Sequence, residues 1–239
     1  MSLKSHYKKI KEKCLLSNQI VCQIVTEGTL KKNGIKSIAT KILLQLIAKR
    51  GNTLWVPEST LKLSGVMLAA FDNAKQGNKN VMSGVATINS TFSSICSKIS
   101  EYTDINDKLN CMMGMMLKLI DSYLKRNKQT PKEVVIFANS CSNDQMNLYH
   151  EFMINPLKSK LEEIYLENKP SITLVLVNTK TNERFFQSQG NGVRNVPAGT
   201  IISENIVSDN YDFFMVSQFA TRGSTVPNHY KVIYTDSKM

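Results

Sequence analysis

Glu133-Val-Val-Ile-Phe-Ala138, then Gln145 to Glu167, then Ile172-Thr-Leu-Val-Leu-Val177 is the passage that decides the fold class. Two short runs rich in β-branched residues flank a segment long enough for a helix, so the order is strand, helix, strand. Pro156 inside the helical segment removes a backbone donor and predicts a break or bend there. Upstream, Val66 to Phe71 is an apolar run ending in Asp72; a turn at Gln76 to Lys79 leads into Val81 to Ile88, which reads as the second arm of a hairpin. Asp104 to Lys125 carries Leu109, Met112, Met113, Met116, Leu117, Ile120 and Leu124 at helical spacing. Methionines in such a stripe fill a core, so this is a buried helix. Downstream, Thr200 to Ile206, Tyr211 to Ser217 and Tyr230 to Tyr234 are strand candidates. The pattern is α/β, built on a mixed sheet flanked by helices. A boundary near residues 57 to 63 is marked by Pro57 and a polar patch.

The amino-terminal stretch has a different texture. Ser37 to Lys49 reads as an amphipathic helix, with Ser37 as N-cap, Gly51 just past its end, and Ile38, Ile42, Leu46 and Ile47 as the apolar stripe. Lys41, Gln45 and Lys49 recur every four residues and so stack into a donor-rich ridge on another face. The chain has 239 residues and a formal net charge of +11. Residues 1–50 hold eleven basic side chains against Glu12 and Glu27, so most of the surplus lies there. A concentrated positive field suits a polyanion, because neutralised phosphates release counterions. Ordinary solvated lysines are the competing reading.

With 42% hydrophobic residues the chain can bury an ordinary core. No apolar stretch approaches the roughly eighteen residues of a membrane span, and Met1 to Lys13 is lysine-rich without a signal-peptide core. The expectation is an intracellular protein, cytoplasmic or nuclear. Five scattered cysteines (Cys14, Cys22, Cys96, Cys111, Cys141) have no C-x-x-C spacing, which points to reduced thiols and no zinc.

Gly190-Asn-Gly-Val-Arg-Asn-Val-Pro-Ala-Gly-Thr200, then Tyr211-Asp-Phe-Phe-Met-Val-Ser217 and Val226-Pro-Asn-His-Tyr-Lys-Val-Ile-Tyr234, resembles in order and spacing the PIWI domain of Argonaute and Piwi proteins. Ala39 to Gly51 with Leu54-Trp55 resembles the Piwi-branch end of their MID domain, and Met67-Leu-Ala-Ala-Phe-Asp72 the first strand of the PIWI sheet. The resemblance implies residues 1–60 as the end of a Rossmann-like MID domain and residues 61–239 as a ribonuclease-H-like PIWI domain without its usual C-terminal segment. It also implies a small guide RNA and a complementary RNA target as partners, with silencing proteins recruited by a monomer.

In that family a Tyr, Lys, Gln, Lys set holds the guide 5′ phosphate, the tyrosine stacking on the first base. The matching residues are Tyr7, Lys11, Gln19 and Lys49, with Gln45 at a position that also donates in some relatives. Lys180 and Arg184 match guide-backbone positions, and Gln218 and Arg222 fall near seed-contact positions. Such contacts fix register without reading sequence.

Cutting relatives use three acids and a fourth ligand to hold two magnesium ions. Asp72 matches the first acid, Asp107 the mobile glutamate, and Asn139, in Phe137-Ala-Asn-Ser-Cys-Ser142, stands where an aspartate is expected. A neutral amide cannot offset the charge of two divalent ions. The fourth ligand belongs to a segment beyond Met239, and His229 in the Pro-x-His-Tyr motif is a separate, structural position. Magnesium is therefore expected only at the guide 5′ phosphate or weakly at Asp72. The expectation is guide binding without target cleavage. A metal-dependent endoribonuclease and a scaffold or relic that binds no guide remain the alternatives.

Overall fold

Val66 to Ala70 runs parallel to Glu133 to Phe137, and Glu133 to Asn139 runs parallel to Ser171 to Val177, so three strands pointing one way form the middle of a sheet. The computed structural model describes residues 3–56, 63–190, 192–207, 211–220 and 222–237. The boundary expected at Pro57 falls outside the described residues. By backbone contacts the chain divides into two units, residues 1–60 and 61–239.

The smaller unit contains α1 (Leu3–Lys11), which continues into a wide π-helical turn at Glu12–Ser17, then α2 (Glu27–Leu30) and α3 (Ile35–Lys49). Ser37 does not cap α3. Gly34, in the left-handed region at φ +81°, occupies the N-cap, and the helix starts two residues earlier than expected. Glycine reaches that conformation without a steric penalty, so it sets the start and outranks the serine signal. Gly51, also at φ +81°, follows the helix end as expected. Ile38, Ile42, Leu44, Leu46 and Ile47 are half-buried, while Lys41, Gln45 and Lys49 are exposed.

The larger unit carries an eight-stranded sheet in the order β3-β2-β1-β4-β5-β10-β9-β8. Its members are β1 (Val66–Gln76), β2 (Lys79–Thr87), β3 (Ile95–Tyr102), β4 (Glu133–Asn139), β5 (Ser171–Asn178), β8 (Ile201–Ile202), β9 (Asp212–Met215) and β10 (Asn228–Thr235). A separate hairpin joins β6 (Phe186–Gln189) to β7 (Gly192–Asn195). The β1–β2 hairpin is longer than its apolar run: β1 continues past Asp72 to Gln76 and turns at Gly77-Asn78. Gly84 of β2 lies so close to Phe71 that an added Cβ would sit 2.6 Å from Cε1 of the ring. The strand expected over Thr200 to Ile206 is reduced to Ile201–Ile202, because the chain leaves the sheet before Ser203.

Helix α4 (Ile105–Asn127) packs against β1, β2 and β3. Its buried stripe is Leu109, Met112, Met115, Met116, Leu119, Ile120 and Tyr123; the expected Met113, Leu117 and Leu124 are only half-buried. Apolar residues surround much of this helix, so spacing alone left the orientation of its face open. The crossover from β4 to β5 is α5 (Asn143–Tyr149), a π-helical turn at His150–Ile154, and α6 (Asn155–Tyr165) with Pro156 in its first turn. The expected break is therefore present, and the lost donor at Pro156 falls where α6 has no need of it. Met153, Ile154, Leu157 and Leu161 complete the core with Val134, Ile136, Ile172 and Leu174.

Candidate functional site

Two sets of side chains matter, one in each unit. In the smaller unit, Tyr7 and Lys11 lie one helical turn apart on α1. The Lys11 ammonium sits 5.8 Å from the centroid of the Tyr7 ring, and the ring remains 53% exposed. A cation at an aromatic face is attracted by the ring quadrupole, and the open part of the ring stays free to stack. Lys49, at the last turn of α3, donates to the Gln23 side-chain oxygen and, at 3.4 Å, to the Cys22 carbonyl. The resemblance assigns Gln19 to this set. Gln19 is exposed in a left-handed turn at φ +52°, four residues before the glutamine that meets Lys49. Both glutamines precede an apolar residue, and nothing in their local spacing tells them apart.

Segment Cys22–Gln23 ties the unit together. The Cys14 thiol is pushed up by desolvation and then by the nearby Cys22. The Ile20 amide donates to the Cys14 carbonyl at 2.7 Å. The end of α1 and the end of α3 are thus both anchored on one short strand of backbone. Among the described residues of this unit the acids are Glu12 and Glu27, and they pair elsewhere: Glu12 with Lys8 at 3.7 Å and Glu27 with Lys31 at 2.6 Å. Lys49 meets only neutral acceptors in these two bonds. An ammonium has three donors, so one is left over to point at an anion. Gln45 lies one turn before Lys49 on the same exposed face.

In the larger unit, Asp72 and Asn139 stand at corresponding points on neighbouring parallel strands β1 and β4. The Asn139 amide donates to Asp72 Oδ1 at 2.8 Å and to Asn73 Oδ1 at 3.3 Å. The Asn73 backbone N–H donates to the same Asp72 oxygen, also at 2.8 Å. The carboxyl edge of parallel strands is where α/β sheets bind ligands. Asp107 does not join them. Its carboxylate accepts from the Thr103 amide at 2.8 Å and the Thr103 hydroxyl at 3.1 Å, while its own N–H caps on Asp104 at 3.0 Å. It thereby serves the start of α4, and it lines a different recess with Lys79 and Glu101. An aspartate at this point of a helix satisfies free backbone donors, and that local use holds it away from Asp72.

These residues do not fit a pair of divalent ions. Asn139 turns a donor, not an acceptor, toward Asp72, and two N–H groups already occupy the Asp72 oxygen that faces it. Magnesium needs near-octahedral oxygen donors and keeps several waters. The cavity lined by Asp72, Asn139, Lys108 and Tyr149 has a volume of about 10 Å³. Among the described residues, no three His, Cys, Asp or Glu side chains converge as a metal site.

Lys180 is exposed in the loop after β5, where its amide donates to Asn178 Oδ1 at 2.9 Å. The buried Thr181 fixes that loop by donating to the Pro227 carbonyl at 2.7 Å. The Arg184 guanidinium donates to the Thr181 and Glu183 carbonyls at 2.9 and 2.6 Å, so it braces the same loop. Gln218 and Arg222 are exposed in the connection between β9 and β10. His229 is paired with the buried Asp212 and stacked on Phe214, with ring centroids 4.4 Å apart. That is the structural role expected for it.

The profile of the Piwi domain family matches residues 2–239. The chain is 31% identical over 239 residues to Piwi-like protein Ago3 of Bombyx mori, covering 97% of this chain and 25% of that protein. It is 31% identical over 240 residues to the protein piwi of Drosophila melanogaster, covering 96% and 27%. The crystal structure of Drosophila Piwi superposes with a TM-score of 0.83 at 27% identity, covering 98% of this chain and 32% of that one. Kluyveromyces polysporus Argonaute with a guide RNA gives a TM-score of 0.79 at 17% identity, covering all of this chain and 32% of that one. The mixed sheet flanked by helices is the ribonuclease-H-like fold of those structures. The chain spans about a quarter of the length of the curated relatives quoted.

Proposed function

This chain belongs to the Piwi domain family, and from that premise we propose that it binds the 5′ end of a small guide RNA and displays it for pairing with a target that it does not cut. The observation that carries the reading is Lys49: it is held in place by Gln23 and the Cys22 carbonyl, both neutral acceptors, while Glu12 and Glu27 pair with Lys8 and Lys31 instead. Charge-assisted bonds to a terminal phosphate are about twice as strong as neutral ones. Tyr7 supplies a stacking surface for the first base, Lys11 a second cation beside it, and Gln23 and Gln45 neutral donors; Gln23 takes the place first given to Gln19.

In this reading residues 1–60 act as the end of a MID domain and residues 61–239 as the PIWI domain. Lys180, Arg184, Gln218 and Arg222 meet the guide backbone. The target is a complementary RNA, silencing is carried out by recruited proteins, and the protein works as a monomer inside the cell. Among the described residues no helix is long and apolar enough to cross a membrane. The absence of cutting follows from the donor set at Asp72, whose partner Asn139 brings no negative charge.

RNA extracted from the purified protein tests the binding claim: a population of short 5′-phosphorylated RNAs is expected, and RNA of random length with mixed ends would refute it. Incubation with a guide-matched target and magnesium tests the other half. The target should remain intact, and a single defined cut would sink the non-cutting reading.

A further inference from the structure

Lys108 breaks a local rule. It stands near the start of α4, where the helix macrodipole and unpaired N–H groups disfavour a cation. Its side chain is half-buried and lines the same cavity as Asp72, Asn139 and Tyr149. Burial there pushes its ammonium down from the ordinary value, and the Asp72 carboxylate pulls it the other way; the Cys141 thiol, itself pushed up by burial, brings no charge at neutral pH. Asp107, one residue earlier, is committed to the helix cap and leaves this space to its neighbour.

We propose that Lys108 is a built-in cation that takes the electrostatic place of the divalent ions at the Asp72–Asn139 edge and closes it to metals. This rests on the non-cutting reading above and deepens it: loss of one acid explains weak coordination, whereas Lys108 actively excludes a metal even after that acid is restored. Three observations converge. The Lys108 side chain shares a recess with the Asp72 carboxylate, the facing oxygen of that carboxylate is satisfied by Asn139 and Asn73, and the recess, about 10 Å³, is at the lower limit for one water. A magnesium ion approaching the exposed Asp72 carboxylate would do so against the positive charge of Lys108.

Manganese binding, followed by the electron paramagnetic resonance of the free ion, separates the two contributions. Asn139→Asp alone should bind weakly, and Asn139→Asp with Lys108→Gln should bind at least about tenfold more tightly. Asn139→Asp with Lys108→Arg, which keeps the charge, should show no gain. If Asn139→Asp alone binds as tightly as the double variant with glutamine, or if the arginine variant gains as much, the proposal is overturned. Should the double variants fail to melt cooperatively, Lys108→Gln alone supplies the test. Manganese should then broaden the Asp72 and Asn73 resonances more than in the unaltered chain, and equal broadening overturns the role of Lys108. Target cleavage by the unaltered chain would overturn this proposal together with the non-cutting reading, whereas the binding comparisons reach Lys108 alone.

Discussion

Residues 5–56 and residues 63–237 are held together in different ways. In the first stretch every described side chain is half-buried or exposed. In the second, Leu109, Met116, Leu119, Ile136, Met153 and Leu157 are fully buried in one continuous cluster. Burying a large aliphatic side chain stabilises by roughly 1.5–3 kcal/mol, so the larger unit rests on packing. The smaller unit has a few hydrogen bonds through Cys22 and Gln23, an amphipathic helix and a strong positive field. A region of this kind gains order from what it binds, because a ligand selective for the folded form stabilises it by mass action.

The contrast can be broken most forcefully from the packed side. Met116→Ala should cost about 2–5 kcal/mol in chemical denaturation of residues 61–239, as expected for a large-to-small change at a fully buried site. A loss near zero would mean that this cluster does not carry the unit. On the charged side, Tyr7→Ala with Lys49→Ala should lower affinity for 5′-phosphorylated RNA about a hundredfold and for 5′-hydroxyl RNA far less. Equal losses for both ends would remove the phosphate assignment. That double variant should leave the denaturation of the larger unit unchanged.

A finer comparison lies within the smaller unit. Gln23→Ala should weaken 5′-phosphorylated RNA binding about tenfold, and Gln19→Ala by no more than about twofold, if contact with Lys49 is what matters. The reverse order, read by filter binding, would restore Gln19. The smallest effect concerns acid. The Asp104 carboxyl is held below its ordinary value of 3.8, chiefly by the Asp107 N–H it accepts. Its contribution to α4 is therefore complete above that value and is lost as pH falls through the lower, folded one. Asp104→Ala should lower the melting temperature at neutral pH, and the gap to the unaltered chain should close in strong acid. A gap that persists there would assign the loss to something other than the cap.

How much was legible in the sequence follows the same division. The strands β4 and β5 and the helix α4 are strongly patterned, and each formed where its apolar residues placed it. Strand β3 escaped notice because its pattern is inverted: Ile95 and Ile99 are exposed, at 64% and 74%, while Cys96, Lys98, Ser100 and Tyr102 face the helix. The β6–β7 hairpin is short and largely exposed, so it carries no burial signal at all. At the metal-like edge, Asp72 and Asn139 could be paired in advance through the resemblance, since each follows a recognisable apolar run. Asp107 and Lys108 could not be sorted, since which of two adjacent helical residues turns toward a sheet depends on a helix rotation that the crowded apolar pattern of α4 left undetermined. Gln23 was hidden for a related reason. Its contact with Lys49 is long-range, and no local spacing encodes it.

The parallel pairing of β1 with β4 also constrains how the chain reaches this state. As the polypeptide leaves the ribosome, Val66 to Ala70 must wait for Glu133 to Phe137 before its inner edge is covered. Until then only the local hairpin with β2 shields it. Closing so long a loop is slow compared with forming a hairpin or a helix, and an uncovered apolar edge invites association with other nascent chains. The sheet centre that aligns Asp72 with Asn139 is thus also an edge that closes only after β4 has been made.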